Sequence, residues 1–351
     1  MANPFFSLLL FLSLFPTPSL QSKPLPDLTS PYLSPSTIFP NFQKMLRTFK
    51  IFTYEPPKDF TFNTPAESLF YSSLLNGPFA TQNPNEAHLF LVPFPSDLST
   101  RSISRFIRDF RTEHPYWNRT LGADHFYISC AGLGYESDRN LVELKKNSVQ
   151  ISCFPTPHGK FIPHKDITLP PLNPSPLAPP QAPPNNRSSR YLGYFKSNGQ
   201  VGLLNQLNGD PEFMIESEPS DELTYAERLE GSQFCLFLYG GDVSGIGEAL
   251  RFGCVPAVIT DCPIQDLPFM DVLVWSEIAV FVGRGGGAEE LKGVLRRTCG
   301  DKYERMRALG VTASQHFVWN ASPQSYDAFH TVLYQLWLRR HTIRYARREW
   351  S

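Results

Sequence analysis

The chain has 351 residues, with 32 Lys and Arg against 33 Asp and Glu. That length allows two domains, and the near-neutral balance argues against a nucleic-acid partner, which calls for a strongly basic surface. Aromatic residues (28 Phe, 14 Tyr) can furnish a sizeable core, and the 33 prolines, above an average of about 5%, point to many irregular connections.

Phe5–Phe15 is an apolar run broken only by Ser7 and Ser13. It falls short of the roughly 20 apolar residues of a membrane span. No Lys or Arg precedes Lys23. Residues 1–20 therefore read as a signal peptide or short signal anchor, the rival being a misplaced start codon. Residues 21–45, rich in Pro, Ser and Thr, read as a flexible stalk. From residue 46 to 168 strand and helix patterns alternate. Strands are expected at Phe49–Tyr54, Ala87–Phe94 and Phe126–Cys130, and helices at Ala66–Leu75 and Ser99–Arg111. In the last, Ile103, Phe106, Ile107 and Phe110 share one face. Leu141–Val149 opens a further helix-strand step. Such alternation predicts a parallel α/β sheet. Leu169–Pro184 holds eight prolines in sixteen residues. It must be extended, so residues 169–187 are read as a domain linker. A second domain, 188–322, opens with a strand at Tyr191–Phe195. It later shows a strand at Ala279–Val282, a glycine loop at Gly283–Gly287 and a helix at Ala288–Thr298. Residues 323–351 form a long helix, Tyr326–Arg347, with Phe329, Val332, Leu333, Leu336 and Trp337 on one face, directed back towards the first domain. Its five arginines from Arg339 to Arg348 read as a solvated face, or as attraction to acidic polymers or anionic headgroups.

The stretch Gly231–Asp261 organises the second domain. Phe234–Tyr239 reads as a buried parallel strand. A loop with Gly240, Gly241, Gly245 and Gly247 follows, then a short helix from Glu248, stopped by Gly253. A second strand, Cys254–Thr260, ends at Asp261. Ligands of such sheets bind outside the carboxyl ends of the strands. Glycines permit close backbone approach, and a helix start offers N–H groups to an anion. A nucleotide diphosphate suits this unit. A tight turn that binds nothing has the same pattern.

Three sequons, at Asn118, Asn186 and Asn320, suit a luminal protein, although Pro323 directly follows the last. Six cysteines are compatible with disulfides in many pairings or with buried thiols. Cys235 and Cys254 read as packed core residues. No Cys-x-x-Cys or His-rich cluster suggests a metal.

The ordered motifs resemble the exostosin-like glycosyltransferases, in particular the plant branch that builds cell-wall polysaccharides. The N-terminal markers are Lys50-Ile-Phe-Thr-Tyr-Glu55, Asn85–Phe94, Tyr116–Phe126 and Lys165-Asp-Ile-Thr-Leu-Pro170. The C-terminal ones are Ser232–Leu236, Glu248–Pro256 and Leu267–Trp275. The likeness runs from about Phe49 to Arg340. It implies a GT-B fold, two Rossmann-like domains facing a cleft, and an inverting transfer from a nucleotide-sugar, a UDP-sugar, to a polysaccharide acceptor. It also implies a Golgi membrane address on the luminal side and no cofactor or metal. Four departures stand out. Leu238-Tyr239 replaces a usual proline, Gly245 replaces a usual arginine, and Ala131-Gly132 replaces a usual His-Asp. Lys196 is the lone base before Arg228, where an arginine-rich helix is usual. Lys196, Arg251 or helix-terminal N–H groups would have to replace the lost cation.

By this resemblance Glu248 would accept hydrogen bonds from the ribose, the plain alternative being an acidic residue that suits the helix dipole. Gly240, Gly241, Asp242, Ser244, Gly245 and Gly247 would line the donor, with Asp261 at the strand end beside them. Asp242, a carboxylate, would cap the turn or meet a sugar hydroxyl. A base must take the acceptor proton, and Glu55 and Asp97 have the required placement after N-terminal strands. Asp124 and His125 read as structural. Two functions remain: a glycosyltransferase of pectin or hemicellulose side chains, or a catalytically impaired member that supports an active homologue in a hetero-oligomer.

Overall fold

The computed structural model describes residues 30–342 except residue 59 and residues 95–97, 135–137, 174–176, 179, 181–188, 197–201, 203–205 and 217–222. The expected leader, Asp97, Asn186 and much of the proline-rich linker lie outside the described residues. The first unit runs α1 (Pro35–Thr48), β1 (Ile51–Thr53), α2 (Pro65–Leu75), β2 (Ala80–Thr81), β3 (Leu89–Leu91), α3 (Thr100–Glu113), α4 (Pro115–Thr120), β4 (His125–Ile128), α5 (Arg139–Asn147), β5 (Val149–Cys153) and β6 (Ile167–Leu169). The second runs β7 (Tyr191–Lys196), β8 (Phe213–Glu216), α6 (Tyr225–Glu230), β9 (Ser232–Leu238), α7 (Ile246–Phe252), β10 (Val255–Ile259), β11 (Val280–Val282), α8 (Gly287–Thr298) and α9 (Asp301–Ala313). A last helix, α10 (Ala328–Thr342), follows.

Each unit is built on one parallel sheet, ordered β2-β1-β3-β4-β5-β6 in the first and β11-β10-β9-β7-β8 in the second. The strands are short and mostly apolar: Leu89–Leu91 and Val255–Ile259 are buried at every position. Helices on both faces require such runs. In both sheets the order reverses beside the first strand, between β1 and β3 and between β7 and β9. Crevices form at such reversals, outside the carboxyl ends.

Local signals place the helices. Thr64 and Glu67 form a capping box at the start of α2. The second oxygen of Glu67 accepts from the backbone N–H of Cys130 at 2.7 Å. One carboxylate thus starts a helix and ties it to the end of β4. Ser99 caps α3, and Gly253 ends α7 in the left-handed region at φ 74°.

The carboxyl edges of the two sheets meet. The Asp266 carboxylate accepts from Thr156 N at 2.6 Å and from the Tyr239 hydroxyl at 2.7 Å, while Thr168 Oγ1 donates to its carbonyl at 3.0 Å. The rings of Phe154 and Tyr239 lie 6.3 Å apart across this seam. The layout is α/β and GT-B-like, two Rossmann-like units facing one another.

Several expectations change. The second half of the expected stalk is ordered: α1 buries Ile38, Phe42 and Met45, and Tyr32 bridges to Leu273. Those apolar residues recur at helical spacing, and Pro35 sits at the start of the helix, where its missing N–H costs nothing. In α10, Phe329, Val332, Leu333, Leu336 and Trp337 share one core with Phe42, Phe70 and Phe79. Arg339 is not on a solvated face. It is buried, donating from Nε to Lys165 O at 2.6 Å and from Nη2 to Asp166 O at 3.0 Å, and pairing with Asp271 at 2.7 Å. A planar fork with several donors suits such a site. Asp166 in turn is contacted by Lys145 and Lys165, a cluster of charges that satisfies itself inside the protein. Cys235 and Cys254 are packed in the core as expected, but as a disulfide rather than as thiols, and Cys130 pairs with Cys153.

His316 lies in a short turn, Ser314–Phe317, beneath α10. Its Nε2 is 3.0 Å from the Tyr32 hydroxyl and its Nδ1 is 2.8 Å from Tyr326 O. Burial lowers its pKa from 6.5 to about 4. The unfolded chain therefore binds a proton that the folded chain refuses between those values. The contribution of a neutral His316 is complete above pH 6.5 and is lost as the pH falls towards 4. The shift is worth about 3 kcal/mol. Urea denaturation at about pH 7 and about pH 4.5 should show a drop of that order, and His316→Asn should remove most of it.

Candidate functional site

Two cavities flank α7 and share one wall residue, Asn173 of the linker. The first, about 270 Å³, is bounded by Pro171, Leu172, Gly247, Glu248, Arg251, Phe317 and Trp319. The second, about 310 Å³, lies at the β7/β9 reversal and is bounded by Tyr194, Lys196, Tyr225, Phe237, Asp242, Ser244 and Gly245. The first is mostly apolar and aromatic with one acid and one base. The second is lined by two phenols, an ammonium and a carboxylate.

Glu248 stands in the first turn of α7. Its Oε1 accepts from Asn173 Nδ2 at 2.7 Å, so the linker is tied to the helix at the boundary between the cavities. The linker is pinned twice more: Arg251 donates to Leu177 O at 3.2 Å, and Trp319 Nε1 donates to Pro170 O at 3.2 Å. The described residues Pro171, Leu172 and Asn173 of the proline-rich segment form part of the cavity wall.

The glycine loop divides into two parts. Gly240 needs its own residue type for conformation, with φ 87°. Gly241 donates to Leu238 O at 2.9 Å. Asp242 accepts from Ser244 N at 2.9 Å, an Asx turn that shapes the loop. Gly245 and Gly247 are needed for space. A Cβ on Gly245 would lie 2.3 Å from the Tyr225 hydroxyl, and one on Gly247 would lie 2.8 Å from Phe317 Cβ. The position where the resemblance leads one to expect an arginine is thus filled by a tyrosine from α6.

Asp261 is exposed beyond β10 and lines neither cavity. It accepts from Arg284 N at 2.9 Å, and Arg284 also donates to Tyr239 O at 2.9 Å. Glu55 is exposed two residues past β1, beside the β1/β3 reversal, and lines neither cavity. Asp124 and His125 are wholly buried at the opposite end of that sheet. Burial pushes the Asp124 carboxyl up, but contact with His125 and hydrogen bonds from Thr120 and Arg119 outweigh it and hold it at about 2. His125 stacks with Tyr54, which contacts its Nε2 at 2.9 Å. These are structural roles. Asn118 is exposed, with Nδ2 donating to Arg111 O at 2.8 Å, and Asn320 donates to Asp327 at 3.1 Å.

Sequence reasoning missed Tyr194, Tyr225, Asn173 and Trp319. Each comes from a different element, so no local spacing links them. Lys196, at the carboxyl end of β7, was visible as the lone base of its stretch.

Residues 45–297 match the exostosin GT47 domain. The chain belongs to the exostosin GT47 family, a class of glycosyltransferases. Among its relatives is a probable glycosyltransferase of Arabidopsis thaliana, 29% identical, with the match covering 87% of this chain and 64% of the relative. This chain thus spans less than two thirds of that relative's length. The probable beta-1,4-xylosyltransferase IRX10 of the same plant is 27% identical, covering 79% of this chain and 76% of the relative. A probable glucuronosyltransferase of Oryza sativa subsp. japonica is 28% identical, covering 76% and 73%. Among solved structures, UGT89C1 of Arabidopsis thaliana complexed with UDP aligns with a TM-score of 0.30 and 11% identity, over 85% of this chain and 95% of that one.

The packing of Gly247 gives a test. Gly247→Ala must push α7 away from Phe317 and should destabilise the fold by about 1–3 kcal/mol. Denaturant unfolding should show a lower midpoint at an unchanged slope.

Proposed function

We propose that this protein transfers a sugar from a nucleotide-sugar donor, a UDP-sugar, to a growing plant cell-wall polysaccharide, a pectin or hemicellulose side chain, with inversion at the anomeric carbon. The observation that carries this reading is the pair of cavities joined at Asn173 and Glu248, one of them at the reversal of a parallel sheet. The aromatic first cavity suits a nucleoside, with Glu248 accepting from ribose hydroxyls. The second suits the diphosphate. The relatives named for xylosyl and glucuronosyl transfer support the substrate class.

In the reaction an acceptor hydroxyl oxygen attacks the anomeric carbon from the face opposite the leaving group. The bond from that carbon to the phosphate oxygen breaks, and its electron pair leaves with the nucleoside diphosphate. A base takes the acceptor proton. Glu55, exposed at the carboxyl end of β1, is the described candidate for this role; Asp97 is the other. Two disulfides, Cys130–Cys153 and Cys235–Cys254, support an oxidising compartment. With the sequons and the short apolar start, we place the protein on the luminal side of the Golgi membrane.

One observation favours a second reading, a catalytically impaired partner of an active homologue: Gly245 carries no cation, and Tyr225 leaves no room for one. Purified protein incubated with UDP-sugars and wall oligosaccharides separates the two. Sugar transfer or donor hydrolysis supports the enzyme. Failure of both, together with co-purification of a homologue, supports the partner.

Glu248→Gln keeps the shape and removes the charge. A charge-assisted hydrogen bond is worth about 1.5–3 kcal/mol, so UDP affinity measured by calorimetry should fall roughly ten- to a hundredfold. An unchanged affinity would remove Glu248 from the ribose.

A further inference from the structure

The second cavity contains polar groups that the protein itself does not use. Tyr194 is 3% exposed, yet its hydroxyl has no hydrogen-bond partner among the described residues, and neither do the Tyr225 hydroxyl and the Lys196 ammonium. All three line one cavity. Tyr225 is half-buried and Lys196 exposed, and three donors that converge on one space at the reversal of a sheet are placed to serve a ligand. Lys196 Nζ lies 6.0 Å from the centre of the Tyr225 ring, and the two tyrosine rings are 6.3 Å apart. The groups therefore form one patch, carried by the last strand residues of β7 and the first residue of α6.

The charges facing this patch narrow the ligand. Asp242 and Glu248 both act on Tyr225. Burial, reinforced by those carboxylates, raises its pKa, and burial raises that of Tyr194 to about 12. Both phenols stay protonated at neutral pH and can donate. Asp242 is occupied by Ser244 N and Glu248 by Asn173. Two O–H groups and one N–H₃⁺ face the cavity as donors, which suits an anion with several acceptor oxygens.

We infer that Tyr225, together with Tyr194 and Lys196, holds the diphosphate of the nucleotide donor, the Tyr225 hydroxyl occupying the space that the missing side chain of Gly245 leaves open. This rests on the donor reading above and names residues that reading did not include. Gly245 then has a reason beyond backbone freedom. A Cβ there would displace the hydroxyl, 2.3 Å away. Tyr225 is a positioning residue for the leaving group: it holds the phosphate oxygen from which the anomeric carbon departs.

The test compares UDP with uridine on the full chain by isothermal titration. Tyr225→Phe retains the ring beneath Lys196 and removes one oxygen, so folding should be preserved, as a thermal melt will show. The expected result is a fall in UDP affinity of roughly ten- to a hundredfold with uridine affinity unchanged, the loss of one hydrogen bond to a charged group. Lys196→Gln should also weaken UDP and flatten its salt dependence, and Gly245→Ala should reproduce Tyr225→Phe. If wild-type protein binds UDP and Tyr225→Phe binds it equally well, the inference is wrong while the donor reading stands. Equal losses for UDP and uridine would place Tyr225 at the nucleoside and also overturn it. If wild-type protein binds neither compound, the donor reading fails and the inference with it.

Discussion

Asp266 is the point on which the arrangement of the two sheets depends. It is a buried carboxylate with an N–H from the first unit on one oxygen and a phenol from the second on the other. A desolvated charge is tolerated only while its hydrogen bonds are kept, so its partners cannot drift apart. Burial and this hydrogen bond keep the Tyr239 phenol protonated, and therefore a donor. The constraint extends further. Tyr239 O holds Arg284, and Arg284 holds Asp261. Asp261, which its place at a strand end suggested as a ligand contact, is the outer end of a strut that begins in the other unit.

A second clamp works from the side. Arg339 of α10 grips the backbone at Lys165 and Asp166 and reaches Asp271 of the second unit. The guanidinium thereby connects three segments far apart in the chain. With Asp266 it fixes both edges of the seam, and the linker completes a third side through Asn173, Leu177 and Pro170. At Pro170, Asn173 and Leu177 the wall of the two cavities is hydrogen-bonded to the second unit.

What the sequence revealed follows from range. The amphipathic α3, the capped α2 and the Gly253 stop of α7 are local patterns and were legible, as were the apolar runs of β3, β9 and β10. The helix α1 was hidden because Pro35 and Pro40 make its composition resemble a stalk, although Ile38, Phe42 and Met45 carry the period. The helix α9 was missed because Gly310 interrupts its pattern; that glycine is needed where Leu250 comes within 3.0 Å of a would-be Cβ. The disulfides join neighbouring strands, Cys130–Cys153 at the carboxyl ends of β4 and β5 and Cys235 in the middle of β9 to Cys254 before β10, which only the strand order brings together. In the site, the glycine loop and Glu248 are contiguous and were visible. Tyr194, Tyr225 and Asn173 meet through topology alone. Asp97 lies outside the described residues.

The placement of α10 has a consequence for how the chain is made. Phe42, Phe70 and Phe79 of the first unit are covered by Phe329, Val332 and Leu333, and the two sets are separated by some 250 or more residues of chain. On the ribosome, the first sheet therefore emerges long before the residues that close its core. A nascent chain that has not yet reached residue 328 must carry an uncovered aromatic face through the synthesis of the whole second unit, the kind of exposure that recruits chaperones and favours aggregation. Closure of the first unit's core thus waits for a single late event, the docking of one helix.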